Sequence, residues 1–287
     1  MKPIYEMYIC NIDITNYCPA GCIYCTRYIR HVRHDQRYHM KLGDFRKALE
    51  SLVDWPGQIG ISGGEPTLHP QFREICDIIH EFPRPQGRQY QLFTSCGPRY
   101  RELREVCVGT FCCIHENPHD EGQREVCLHQ PSLVAVGEVV KNPSLRERLI
   151  DDCWVQATWA PSINSKGAFF CEVAGGLDTV LDGPGGYPVE PGWWDKTPAQ
   201  FRNQRNRYCH KCGMPVPLTR QLLKDDKEWI TPRLLAEFRE HGLPRTGSED
   251  VHVFDPVRLT RKDMEENAKT WDPGNYRQDL RKDRWGI

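Results

Sequence analysis

Two hydrophobic periods alternate along the first 116 residues. "MYICNIDI" at 7–14 is β-branched and aromatic with partial alternation, and predicts a strand running into a cysteine-rich loop. Residues 43–54 place Phe45, Leu49, Leu52 and Val53 on one helical face, with Asp44 as a candidate N-cap. "QIGIS" at 58–62 predicts a second strand, ended by Gly63 and Gly64, and "PQFREICDIIHEF" at 70–82 a helix with Phe72, Ile75, Cys76 and Ile79 on one side. "YQLFTS" at 90–95, "ELREVC" at 102–107 and "VGTFCCIHE" at 108–116 predict strand, helix and strand. This order is that of parallel β/α units, and right-handed crossovers would curl them into a sheet or partial barrel with its chemistry at the carboxyl ends of the strands.

After residue 150 the texture changes. "GGLDTVLDGPGGYPVEPGWWDKTP" at 175–198 is rich in Gly and Pro and predicts no long regular element. Near the end, "TPRLLAEFREHG" at 231–242 predicts a helix capped by Thr231 and stopped by Gly242, followed by a charged tail. Three regions are expected: 1–150, 151–225 and an extension over 226–287.

The chain has 287 residues, 39% hydrophobic and 27% charged, with a net charge of −1. That is a soluble globular composition without a field directed at nucleic acid or an anionic membrane. The first residues are broken by Glu6, Asn11 and Asp13, unlike a secretion signal or a spanning helix. A cytoplasmic location is expected. The fourteen cysteines then read as metal or catalytic thiols rather than disulfides.

Three of them lie in "NYCPAGCIYC" at 16–25, as Cys18, Cys22 and Cys25. A four-iron cluster takes one thiolate per iron, so three thiolates from one loop would leave one iron open. Structural zinc needs a fourth ligand, and none lies near at the usual spacing. This CxxxCxxC loop, with Tyr24 before its last cysteine, resembles the cluster loop of the radical S-adenosylmethionine superfamily. Gly63-Gly64-Glu65-Pro66 resembles that family's GGEP motif one β/α unit later. Thr94-Ser95-Cys96-Gly97 stands where the family usually has Thr-Asn-Gly. The resemblance implies a [4Fe–4S] cluster on Cys18, Cys22 and Cys25, with S-adenosylmethionine chelating the open iron. It further implies an adenine contact from Tyr24, an ammonium contact from Glu65, and cofactor contacts from Gly63, Gly64, Pro66, Thr94 and Ser95.

Cys153, Cys171, Cys209 and Cys212 form a second set. A short hairpin turning at Gly167 would bring Cys153 and Cys171 together, and the Cys-x-x-Cys pair would close a cage suited to zinc or an iron–sulfur cluster. The spacing and "INSKGAFFC" resemble the twitch domain, the shortened SPASM relative, which implies one auxiliary [4Fe–4S] cluster. The fold expected is α/β, a partial (β/α) barrel followed by a small twitch-type auxiliary cluster domain.

Cys10, Cys76 and Cys107 are expected in the core. Cys96, at a strand's carboxyl end, is a candidate hydrogen donor, and His115 and Glu116 are candidates for hydrogen bonding or proton transfer. His31, His34 and His39 read as a solvated helical face. Trp193 and Trp194, with Tyr187, are expected to cover the auxiliary cluster. By resemblance, the layout is that of sugar and cyclitol dehydrogenases and epimerases. The implied substrate is a polar small molecule, and the implied electron source is an external reductant such as flavodoxin or ferredoxin. Peptide modification and sulfur insertion are the alternatives the same motifs allow.

Overall fold

The structure is a computed structural model that describes residues 1–83, 89–116, 131–156, 161–218, 227–258 and 262. Strand and helix alternate as the hydrophobic periods predict. β1 (Ile9–Thr15), α1 (Leu42–Ser51), β2 (Gln58–Gly63), α2 (Phe72–Glu81), β3 (Tyr90–Thr94), α3 (Pro98–Thr110) and β4 (Cys113–Glu116) follow in order. The four strands pair in parallel with neighbours in sequence order. α1 begins at Leu42, so Asp44 sits in its first turn and Lys41 takes the N-cap position.

Every residue of β1 is buried, as a central parallel strand covered on both faces requires. Its even positions, Cys10, Ile12 and Ile14, pack with Ile59, Ile61 and Leu92 of the neighbouring strands. Against them lie Phe45 and Leu49 of α1, Ile75 and Ile79 of α2, and Leu103 and Cys107 of α3. Cys10, Cys76 and Cys107 are thus buried core thiols. The odd positions, Asn11 and Asp13, point to the other side of the sheet and are polar. That inner face is where the site lies.

The chain continues through α4 (Val136–Val139) and α5 (Pro143–Asp151) to a hairpin, β5 (Ser162–Asn164) and β6 (Gly167–Phe169). β5 pairs in parallel with β1 through Asn11 and Ser162. The sheet order is therefore β4-β3-β2-β1-β5-β6. Residues expected in a second unit supply two strands of the first unit's sheet.

α6 (Glu172–Val180) runs into the Gly- and Pro-rich stretch, where no long element is expected from sequence. All nine of its residues are buried, including Gly175 and Gly176. A Cβ on Gly176 would lie 2.9 Å from the Thr26 carbonyl oxygen and 2.9 Å from the Tyr28 ring. Glycine there is a packing device that seats α6 on the cysteine loop, not a helix breaker.

α7 (Arg202–Tyr208) precedes Cys209. Trp193 and Trp194, expected over the four-cysteine set, are not among the residues lining its cavity. Their indole N–H groups donate to Ser51, to Oγ at 3.2 Å and to the carbonyl at 2.9 Å, sealing the end of α1. The predicted C-terminal helix is α8 (Pro232–Glu240), with Thr231 at its N-cap position. The Thr231 hydroxyl donates to Glu138 at 2.7 Å instead of capping. α8 is flanked by β7 (Glu228–Ile230) and β8 (Val251–Val253), a parallel pair. No helix of the described residues is long and apolar enough to cross a membrane.

Candidate functional site

The cysteine loop leaves β1 at its carboxyl end and coils through three left-handed residues, Gly21, Tyr24 and Tyr28. The loop is held by the end of β2, where the Gly64 N–H donates to the Thr15 carbonyl and the Glu65 N–H to the Tyr17 carbonyl, both at 2.7 Å. A Cβ on Gly63 would lie 2.2 Å from the Thr15 oxygen, and one on Gly64 2.2 Å from the Tyr17 oxygen. The paired glycines thus let two chain segments touch. This coiling brings Cys18 within electrostatic reach of Cys25 and of Glu65, and burial pushes its thiol up to about 11. Burial also raises the Cys25 thiol, against hydrogen bonds from the Ile29 and Arg27 backbone.

Glu65 is buried, and its carboxylate is occupied by this chain's own donors. Oε1 accepts from the Thr67 N–H at 3.1 Å and the Thr67 hydroxyl at 2.6 Å. Oε2 accepts from the Ser95 N–H and hydroxyl, both at 2.6 Å, and the Thr94 hydroxyl lies 3.0 Å from each oxygen. Pro66 opens the 3-10 helix that Glu65 caps. Glu65, Thr94 and Ser95, expected as separate cofactor contacts, form one cross-strand knot between β2 and β3. Glu65→Gln turns a donor toward these donors and should lower folding stability by about 1.5–3 kcal/mol, the range for a hydrogen bond to a charged group. Urea denaturation of the metal-free chain checks this.

Tyr24 is fully buried. Its N–H donates to Glu228 at 2.6 Å, and its hydroxyl accepts from the Trp229 N–H at 2.8 Å. The ring expected against an adenine is enclosed by the C-terminal segment. His31, expected on a solvated face, is buried and lies 2.7 Å from Glu228.

Behind the loop, the inner face of the sheet carries a buried polar network. Arg27 meets Asp13 at 3.2 Å and Glu172 at 2.9 Å. Ser62 donates to Asp13 at 2.8 Å, and Asn11 donates to Glu172 at 2.8 Å. Burial opposes the Arg27 charge, but the two carboxylates outweigh it and leave its pKa above the ordinary value. Burial raises the Glu172 carboxyl, against the pull of Arg27. Among the described residues, the Asn11 Oδ1 and Ser162 Oγ atoms are buried without a hydrogen-bond partner, and the two residues face each other across β1 and β5. One legible signal marks this face, namely polar Asn11, Asp13 and Thr15 alternating with apolar Cys10, Ile12 and Ile14.

Further along the inner face His115 stacks on Phe93, with ring centroids 4.3 Å apart, and its Nε2 lies 2.9 Å from Gln91. Glu116 is exposed and accepts from the Tyr100 hydroxyl at 2.5 Å. Cys96 is in the left-handed region, and its N–H donates to the Thr94 hydroxyl at 3.1 Å. Its thiol lies within electrostatic reach of Tyr100. Cys96 and Glu116 gather around Tyr100 at the carboxyl edge, while His115 turns inward.

The four later cysteines converge. Cys153, Cys171, Cys209 and Cys212 line one cavity, with Phe170, Leu177, Tyr208 and Met214 around them. Burial raises the Cys171 thiol to about 12, with Cys153 adding to it. Burial and the repulsion of the other thiols carry Cys209 and Cys212 well above the ordinary range. Four converging thiols, two of them buried, with mutual repulsion acting on Cys171, Cys209 and Cys212, fit a thiophilic cation or cluster, which would relieve that repulsion. Among the described residues no three His, Cys, Asp or Glu side chains are gathered tightly enough to hold a single metal ion. Cys127 lies outside the described residues.

Residues 12–128, less than half of the chain, match the family model of the Radical SAM superfamily. The crystal structure of BtrN in complex with AdoMet and 2-DOIA is similar to this chain at 13% identity, covering 71% of this chain and 87% of that one, with a TM-score of 0.44. That likeness is too distant to carry a residue's role from one chain to the other. No curated protein matches the chain.

Proposed function

We propose that the chain is a radical S-adenosylmethionine enzyme that dehydrogenates or epimerises a polar small molecule, a sugar, cyclitol or nucleoside. The observation that carries this is the cysteine loop coiled at the carboxyl end of β1 against Gly63-Gly64-Glu65, inside the stretch that matches the family. Cys18, Cys22 and Cys25 would hold the [4Fe–4S] cluster, and the cluster with S-adenosylmethionine supplies a 5′-deoxyadenosyl radical for hydrogen abstraction. An external donor such as flavodoxin or ferredoxin would supply the electron.

The inner face supports a polar substrate. Among the described residues, Asn11 Oδ1 and Ser162 Oγ are buried without a partner, and an apolar ligand would leave them so, beside the polar groups of Asp13, Ser62, Gln91 and His115. His115 Nε2, now paired with Gln91, can exchange that partner for a substrate hydroxyl and hold its proton. Cys96 is the thiol to test as hydrogen donor, and Glu116, through Tyr100, is within reach of the same edge.

The second cysteine set would hold an auxiliary [4Fe–4S] cluster, and a cluster ligated by four protein thiolates accepts an electron more readily than it binds substrate. Anaerobically reconstituted protein should then contain about eight irons as two four-iron clusters. Metal analysis giving one cluster and one zinc would contradict the auxiliary assignment and leave the radical centre standing.

A further inference from the structure

We propose that the C-terminal segment 228–254 is a brace for the cysteine loop, and that Glu228 is the positioning residue that fixes Tyr24 and with it Cys25. Tyr24 is held at both ends by consecutive residues of β7. Its backbone N–H donates to Glu228 Oε1 at 2.6 Å, and its hydroxyl accepts from the Trp229 N–H at 2.8 Å. The other carboxylate oxygen of Glu228 lies 2.7 Å from His31 Nε2, and His31 Nδ1 lies 3.1 Å from the Pro244 carbonyl. Both ring nitrogens of His31 therefore face acceptors in the C-terminal segment, and the loop is gripped on either side of Cys25.

The grip acts where the backbone is strained. Tyr24 and Tyr28 are non-glycine residues at φ 55° and 54°, a conformation that persists only where surrounding contacts over-determine it. The Tyr28 N–H closes the turn onto the Cys25 carbonyl at 2.8 Å. Glu228 is buried among these groups, and β7 is anchored in register to β8, Glu228 opposite Val251. A thiol emerging between two such residues has its direction set by them. Removing the Glu228 acceptor takes away the hydrogen bond that the Tyr24 N–H donates to β7, and the left-handed turn loses that outside contact.

Cys25 as a cluster ligand belongs to the proposed function, so the first test avoids metal. The metal-free full-length chain is treated with iodoacetamide, and the labelling rate of each cysteine is read by mass spectrometry. Glu228→Ala should speed labelling of Cys25 by about tenfold or more, tenfold being the lower end of the range for a lost hydrogen bond to a charged group. Cys18 and Cys96 should stay within about twofold, as expected where the loss is local. Glu228→Gln keeps an acceptor for the Tyr24 N–H and should fall between wild type and Glu228→Ala. No change at Cys25, or equal acceleration at Cys18, Cys22 and Cys25, overturns the proposal. Iron-loaded Glu228→Ala should also lose iron to a chelator faster than wild type. Faster labelling without faster iron loss would uphold the brace and count against Cys25 as a ligand.

Discussion

Replacing Cys18, Cys22 and Cys25 together by alanine should abolish reductive cleavage of S-adenosylmethionine and remove about half of the bound iron, with the fold intact. All three thiols are only partly buried and lie on a loop outside the sheet. The loop keeps its course through main-chain bonds, from Gly64 and Glu65 to residues 15 and 17 and from Tyr28 to Cys25, none of which needs sulfur. Iron content, product analysis and circular dichroism of the variant check the three parts separately. Retained cleavage would remove these cysteines from the radical centre, and a collapsed fold would make the loss of iron uninformative.

The largest effect on stability should come from Arg27→Ala. The guanidinium is the cationic partner of both Asp13 and Glu172, whose side chains are only 5% and 4% exposed. Removing one partner from a buried ion pair leaves an uncompensated charge, at a cost of about 3–5 kcal/mol. Here two carboxylates would face each other across the inner side of the sheet. Adding Glu172→Gln should recover part of the loss, because it removes one of the two stranded charges. Urea denaturation of the metal-free chains measures both. A loss below about 1 kcal/mol, the scale of an exposed pair, would show that the network is solvated and is not the floor of the site.

Much of the fold could be read from the chain because its parallel strands and helices carry distinct periods. β1 to β4 and α1 to α3 follow the order the apolar pattern gives, since each unit is local and its neighbours follow in sequence. Residues 108–110, expected in a strand, instead close α3, and Val53 is exposed beyond the end of α1. α6 escaped because Gly175 and Gly176 suggest a break, whereas close packing of Gly176 against Thr26 and Tyr28, and of Gly175 against Asn164 and Phe169, favours them. The role of β5 escaped for a different reason. Its pairing with β1 joins residues 11 and 162, and no local pattern encodes a partner so far away.

The site shows the same division. Cys18, Cys22, Cys25 and the Gly63-Gly64-Glu65 turn announce themselves by spacing. Glu228 and His31 do not, because an acid and a histidine 197 positions apart look like ordinary surface residues until the chain folds. The surroundings of Glu65 are hidden for a related reason. A carboxylate in a glycine turn suggests a ligand contact, and spacing alone does not reveal that Thr67, Thr94 and Ser95 also donate to it.

The most direct test of the radical reading is anaerobic incubation of the iron-loaded protein with S-adenosylmethionine and a strong one-electron reductant, with products separated by chromatography. The account predicts 5′-deoxyadenosine and methionine in equal amounts, formed only when both the reductant and the iron are present. Iron-loaded protein that leaves S-adenosylmethionine intact, or forms 5′-deoxyadenosine equally well after alanine replacement of Cys18, Cys22 and Cys25, would contradict it.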